Sequence, residues 1–250
     1  LPWWIFTNII DQAVELGVHS IRLHGSGEPT LYKRLVDAVA YCRRNDLKVL
    51  VTTNGARLTA ELSDQLIAAD LTQLTVSATG YDRASYQQWM GVDNYALVRE
   101  NVRYYVEHAK NKCNLYHLIT EPDNQENELK AYHSNWIEYT GADYEIWHLH
   151  NWAGNYQQVK FDRQKGQQRS CGRMFKPNLE VRAGGHDGRY GAVVACCMVL
   201  GNDSVAVLGH LDTDSIEDVW NNAKYQELRL AHSQGRWNDI DYCQGCDQLY

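Results

Sequence analysis

Two rhythms of apolar residues alternate along the first part of the chain. Ile5, Ile9, Ile10, Ala13, Val14 and Leu16 follow a helical repeat over 4–18, with Gly17 placed to cap it. A short alternating run over 19–24 predicts a strand that leads into Gly25-Ser26-Gly27-Glu28-Pro29. The pattern then predicts helices over 31–44, 58–69, 95–110 and 126–139, and strands over 47–53, 74–78, 115–120 and 144–150. Helix and strand alternating with short connections predict an α/β fold, a parallel sheet built by crossovers. A β/α barrel should open on a strand, whereas this chain opens on a helix. One more strand and its loop would complete the unit, so residues 1–154 read as a partial barrel missing its first strand.

The rhythm breaks over 155–170, a stretch rich in Gln, Lys and Asp that predicts a linker. Beyond it, strands over 178–182 and 190–195 predict a β-hairpin around the glycine-rich segment 184–188. A helix over 215–231 follows, with Ser215 as N-cap. Residues 171–250 therefore read as a small α+β domain.

Composition narrows the function classes. A net charge of −7 without a lysine or arginine cluster gives no surface for nucleic acid. No apolar run approaches the roughly 18 residues of a membrane span. Sixteen Tyr and eight Trp against three Phe supply apolar bodies with polar tips, which suit a cleft or reflect a compositional bias of the lineage. Five of the seven cysteines, Cys171, Cys196, Cys197, Cys243 and Cys246, crowd into the last third. A secreted disulfide scaffold would be smaller and spread them evenly, so the pattern points to metal binding and a cytoplasmic location.

Three strand ends carry recognisable residues: Ser26-Gly27-Glu28-Pro29, Thr52-Thr53-Asn54-Gly55 and Val76-Ser77-Ala78-Thr79-Gly80. In this order they resemble the radical S-adenosylmethionine (radical SAM) enzymes, whose barrel sites lie at C-terminal strand ends. The resemblance implies a partial (β/α)6 barrel and S-adenosylmethionine binding by Ser26, Gly27, Glu28, Thr53, Asn54 and Ser77. Gly27 and Glu28 would meet the methionyl amino group; the hydroxyl and amide side chains would meet the ribose or the methionyl carboxylate.

The tail is similar to the SPASM/twitch cluster domains attached to such enzymes. The match runs through Cys171, Gly191 to Cys196, Leu208 to Leu211, Ser215 to Trp220, and the pair Cys243/Cys246. It implies one auxiliary [4Fe–4S] cluster on Cys171, Cys196, Cys243 and Cys246, with Cys197 packed beside Cys196. Four thiolates also suit tetrahedral zinc, although the adjacent Cys196-Cys197 pair is no zinc knuckle. For the intact protein the resemblance further implies a second [4Fe–4S] cluster, hydrogen abstraction by a 5′-deoxyadenosyl radical, and a reductant such as flavodoxin or ferredoxin. The expected substrate is a small molecule undergoing a two-electron oxidation, with a peptide as the runner-up.

The chain also departs from that pattern. The three-cysteine CxxxCxxC element is absent, and Cys42 and Cys113 read as buried thiols. The chain is therefore expected to be a fragment inactive by itself, the rival being a non-catalytic homologue that transfers electrons or binds a partner. Met90 precedes Gly91 where relatives often place an arginine; Arg83 and Arg99 lie nearby without an assigned role. Alternation places His148 and His150 on one face, and Glu121 to Asn124 reads as a turn.

Overall fold

The computed structural model describes residues 1–25, 27–153, 156, 171–184, 188–199, 204–244 and 246. Ser26, nearly all of the expected linker and the hairpin tip at 185–187 lie outside the described residues. Helix α1 (Trp3–Glu15) opens the chain, followed by five strands: β1 (Ser20–Leu23), β2 (Lys48–Thr53), β3 (Gln73–Ser77), β4 (Lys112–Ile119) and β5 (Asp143–His148). They form one sheet in the order β1-β2-β3-β4-β5, every pairing parallel. The connecting helices are α2 (Leu35–Arg44), α3 (Ala60–Ala68), α4 (Arg83–Met90), α5 (Tyr95–His108) and α6 (Gln125–Tyr132). No helix among the described residues is long and apolar enough to cross a membrane.

Residues alternate between the two faces of a strand. Val49, Val51, Leu74, Val76, Leu115 and Ile119 occupy one face and are buried, with α2 packing on β2 and α5 on β4. The other face carries Thr52, Thr75 and Asn114 side by side in register, with Ser77 and Tyr116 paired further along. Thr75 and Asn114 are buried, and the Thr52 Oγ1 and Asn114 Oδ1 atoms have no hydrogen-bond partner. One face of the sheet is thus an apolar core and the other a polar floor.

Two features of this unit depart from the sequence pattern. Helix α4 was not anticipated; it is set by a reciprocal capping box between Asp82 and Ser85 and closed by Gly91 at φ 74°. The helix expected over 126–139 is interrupted by a π-helical turn (His133–Ile137) before α7 (Glu138–Thr140). Trp136 within that turn is fully buried and donates Nε1–H to the Gly80 carbonyl at 2.9 Å. A wider turn at a tertiary anchor is a usual setting for such an irregularity.

Contacts divide the chain into two compact units, 17–149 and a second comprising 1–16 with 150–250. This differs from the division expected at 154, because α1 packs with the tail. Ile5 and Ile9 share a core with Met174, Val193, Leu208, Val219, Tyr225 and Leu228, and Gln12 Oε1 accepts the Ile216 amide at 2.8 Å. The tail's strands β6 (Glu180–Gly184), β7 (Tyr190–Val194) and β8 (Val207–His210) form an antiparallel sheet, the third strand extending the expected hairpin. The single helix expected over 215–231 is two, α8 (Ile216–Asn221) and α9 (Ala223–Ser233). Asn222 breaks it with extended backbone (ψ 164°), caps α9 through the Tyr225 amide, and donates to the Leu208 carbonyl at 2.8 Å. A short α10 (Asp241–Gln244) carries Cys243.

Candidate cofactor sites at the strand ends and in the tail

Glu28 organises the ends of β1 and β2. Its Oε1 accepts from the Thr30 amide at 3.0 Å, the Thr30 hydroxyl at 2.7 Å and the Thr53 hydroxyl at 2.6 Å. Its Oε2 accepts from the Asn54 amide at 2.8 Å. An ionised carboxylate offers about four acceptor positions, so internal donors occupy it. Through these bonds the carboxylate links the two loops. Thr53 Oγ1 also accepts the Gly55 amide and Asn54 Oδ1 the Ala56 amide, so both side chains shape the turn. Ser77 ends β3, half-buried, and Gly27 is exposed. No atom lies within 4 Å of where a Cβ on Gly25 or Gly27 would stand. That open space admits a ligand approached by bare backbone, and the sequence contains no CxxxCxxC thiolates.

A second carboxylate fastens the next strand ends. Buried Glu128 accepts from the Thr120 amide at 2.8 Å, the Glu121 amide at 2.9 Å and His117 Nε2 at 3.1 Å. His117 Nδ1 in turn accepts the Gly80 amide at 3.3 Å, which places its one proton on Nε2. Burial is the chief reason the imidazole sits below its ordinary pKa, outweighing the Glu128 carboxylate. The other polar residues noted in sequence have structural partners. Glu121 accepts from Tyr81 and Asn124, Arg83 pairs with Asp93, and the Arg99 guanidinium lies 3.8 Å from the Tyr139 ring centroid. His148 is exposed at the end of β5, and His150, beyond the strand, is buried against Trp152.

In the tail, Cys171, Cys196, Cys243 and Cys246 line one cavity together with Met174 and His232. Cys197 is not in the lining; its sulfur accepts from Arg173 Nη1 at 3.3 Å. The hydrogen bond from Cys196 and the Arg173 guanidinium hold the Cys197 thiol below its ordinary pKa, while the same hydrogen bond and burial push Cys196 up. Burial pushes Cys243 to about 12, with Cys246 and Cys171 adding to it. Cys196 Sγ accepts the Met198 amide at 3.3 Å, and Cys243 Sγ lies 3.5 Å from His232 Nε2. Among the described residues no three His, Cys, Asp or Glu side chains converge on a single-ion position. Four thiols lining one cavity are a donor set for a [4Fe–4S] cluster and also for a tetrahedral ion. Arg173 and His232 escaped the sequence reading, since a lone arginine and a lone histidine in an amphipathic helix carry no spacing signal.

A parallel α/β sheet unit and a second unit with four thiols lining one cavity are the parts of an iron–sulfur protein. Residues 6–131 match the Radical SAM superfamily and residues 188–247 match an iron–sulfur cluster-binding domain, SPASM. The chain belongs to the radical SAM superfamily and carries a C-terminal SPASM domain. GTP 3′,8-cyclase of Synechococcus sp. (strain CC9902) is 42% identical over 88 residues, 34% of this chain and 25% of that protein. The chain thus aligns with about a quarter of the length of such curated relatives. The structure of BtrN in complex with AdoMet and 2-DOIA has a TM-score of 0.63 at 17% identity, covering 99% of this chain and 80% of that one. Streptococcus suis SuiB bound to S-adenosylmethionine gives 0.64 at 16%, covering 99% and 65%. These two likenesses establish the fold. The two matched domains imply a [4Fe–4S] cluster with S-adenosylmethionine and an auxiliary iron–sulfur cluster.

Proposed function

We propose that this chain is the substrate-orienting and auxiliary-cluster portion of a radical SAM oxidoreductase that acts on a polar small molecule. The observation that carries the reading is the meeting of Cys171, Cys196, Cys243 and Cys246 around one cavity, with Cys197 held aside by Arg173. A cluster bound there supplies one-electron transfer. The chain's own part is to present four thiolates, to set the Met198 amide on Cys196 and to bury Cys171 and Cys243 away from water. At the strand ends Glu28 ties its loop to Thr53 and Asn54 at the end of β2, with open space beside Gly25 and Gly27.

The polar floor supports a substrate rich in hydroxyl or amino groups, because Thr52 Oγ1 and Asn114 Oδ1 are buried polar atoms lacking a partner. Dehydrogenation of an alcohol suits that surface. A peptide is the second reading, favoured by β5: it is the last strand of the sheet, and five of its six residues are exposed. Such an edge can pair an extended chain. A ferredoxin or flavodoxin is the reductant of this proposal, and the cytoplasm its compartment.

The test is anaerobic reconstitution with iron and sulfide, followed by quantification of iron, sulfide and zinc. We expect about four irons per chain, lost in Cys243→Ala/Cys246→Ala. About one zinc without sulfide would overturn the cluster assignment. The sequence contains no CxxxCxxC, and Cys42 and Cys113 are buried in α2 and β4. The chain by itself is therefore expected to form no 5′-deoxyadenosine from S-adenosylmethionine and dithionite; its formation would refute the inactivity reading.

A further inference from the structure

His232 is a buried imidazole that nothing in the strand-end chemistry uses. It sits in the last turn of α9, is 1% exposed, and lines the same cavity as the four thiols. Its Nε2 lies 3.5 Å from Cys243 Sγ. The helix that carries the ring is anchored along its length and at its end. Tyr225 and Leu228 of α9 are in the tail's core, and beyond the helix the Arg236 amide binds the Ala231 carbonyl at 2.8 Å. The Cys243 sulfur is within hydrogen-bonding reach of this ring.

We propose that His232 is a positioning residue for the auxiliary cluster: it donates its Nε2–H to the Cys243 thiolate and thereby raises the cluster's reduction potential. The proposal rests on the assignment of the four thiolates to a cluster. A metal-bound thiolate has no proton to give, so a hydrogen bond between these two atoms requires the proton on Nε2. Reduction adds negative charge to the cluster and its sulfurs, so a fixed donor stabilises the reduced form more than the oxidised one. The Met198 amide does the same at Cys196 by backbone; His232 is a place where a side-chain substitution can alter the effect.

The experiment is a potentiometric titration of the reconstituted full chain, followed by EPR, for wild type, His232→Phe and His232→Gln. Glutamine sets an N–H close to the position of histidine Nε2, whereas phenylalanine keeps the ring volume without a donor. We expect all three to hold the same iron and sulfide. The Phe variant should be about tenfold harder to reduce, a fall of ~59 mV for a one-electron couple, and the Gln variant should stay near wild type. A Phe variant fully loaded at the wild-type potential overturns the role of His232 and leaves the cluster assignment standing. Loss of iron from both variants also overturns it, since that marks a ligand or a structural prop. Absence of iron and sulfide from the wild type instead defeats the cluster assignment itself, and this proposal with it.

Discussion

At Gly80 a single methyl group has nowhere to go. Its φ is +112°, and a Cβ built there stands 2.3 Å from the Tyr86 amide nitrogen. Gly80→Ala is therefore expected to destabilise the sheet unit by about 3 kcal/mol or more, measured by chemical denaturation. Glu28 offers the complementary case. Replacing it with glutamine turns one acceptor oxygen into a donor facing the Thr53 hydroxyl or the Asn54 amide, and should cost about 1–3 kcal/mol. The same Glu28→Gln chain should bind S-adenosylmethionine less tightly by calorimetry; unchanged stability and binding would show that the staple is dispensable. Both residues were visible in the sequence as turn residues after strands. Their tasks were not, because a clash with Tyr86 and four converging donors depend on segments brought together only by folding.

Among the elements, those with strong periodicity were legible: the five parallel strands and helices α1, α2, α3 and α5 follow the apolar rhythm closely. Helix α4 was hidden because its capping box, not an apolar stripe, defines it, and only Ser85 and Tyr86 within it are buried. The break between α8 and α9 was hidden for the opposite reason, since the apolar spacing runs through it. Asn222 makes the break worthwhile by serving two elements at once, α9 through its Oδ1 and β8 through its Nδ2. Asn222→Ala should then cost more than an ordinary cap, about 2 kcal/mol, visible as a lower melting temperature of the tail. Of the candidate ligands, the four cavity thiols were legible from spacing and resemblance, while Arg173 and His232 were not, because neither forms a motif.

For the sheet unit as a whole, the buried His117–Glu128 pair predicts a pH response. Folded His117 resists protonation because of burial, and its Nδ1 is occupied by the Gly80 amide. The unfolded chain therefore binds the proton first, and stability should be complete above the ordinary histidine pKa of about 6.5 and decline as pH falls below it. Thermal unfolding between pH 8 and 5 checks this at roughly the range set by that value; a His117→Gln chain should have a shallower slope. The connectivity of the molecule has another consequence, which concerns synthesis. Helix α1 is made before the parallel sheet, yet its partners Val219, Tyr225 and Leu228 are made after it. At about 5–20 residues per second, the greasy side of α1 stays without its nest for tens of seconds while the sheet folds. The ribosome thus hands over a helix that must wait, and a nascent-chain holdase would have its natural client in α1.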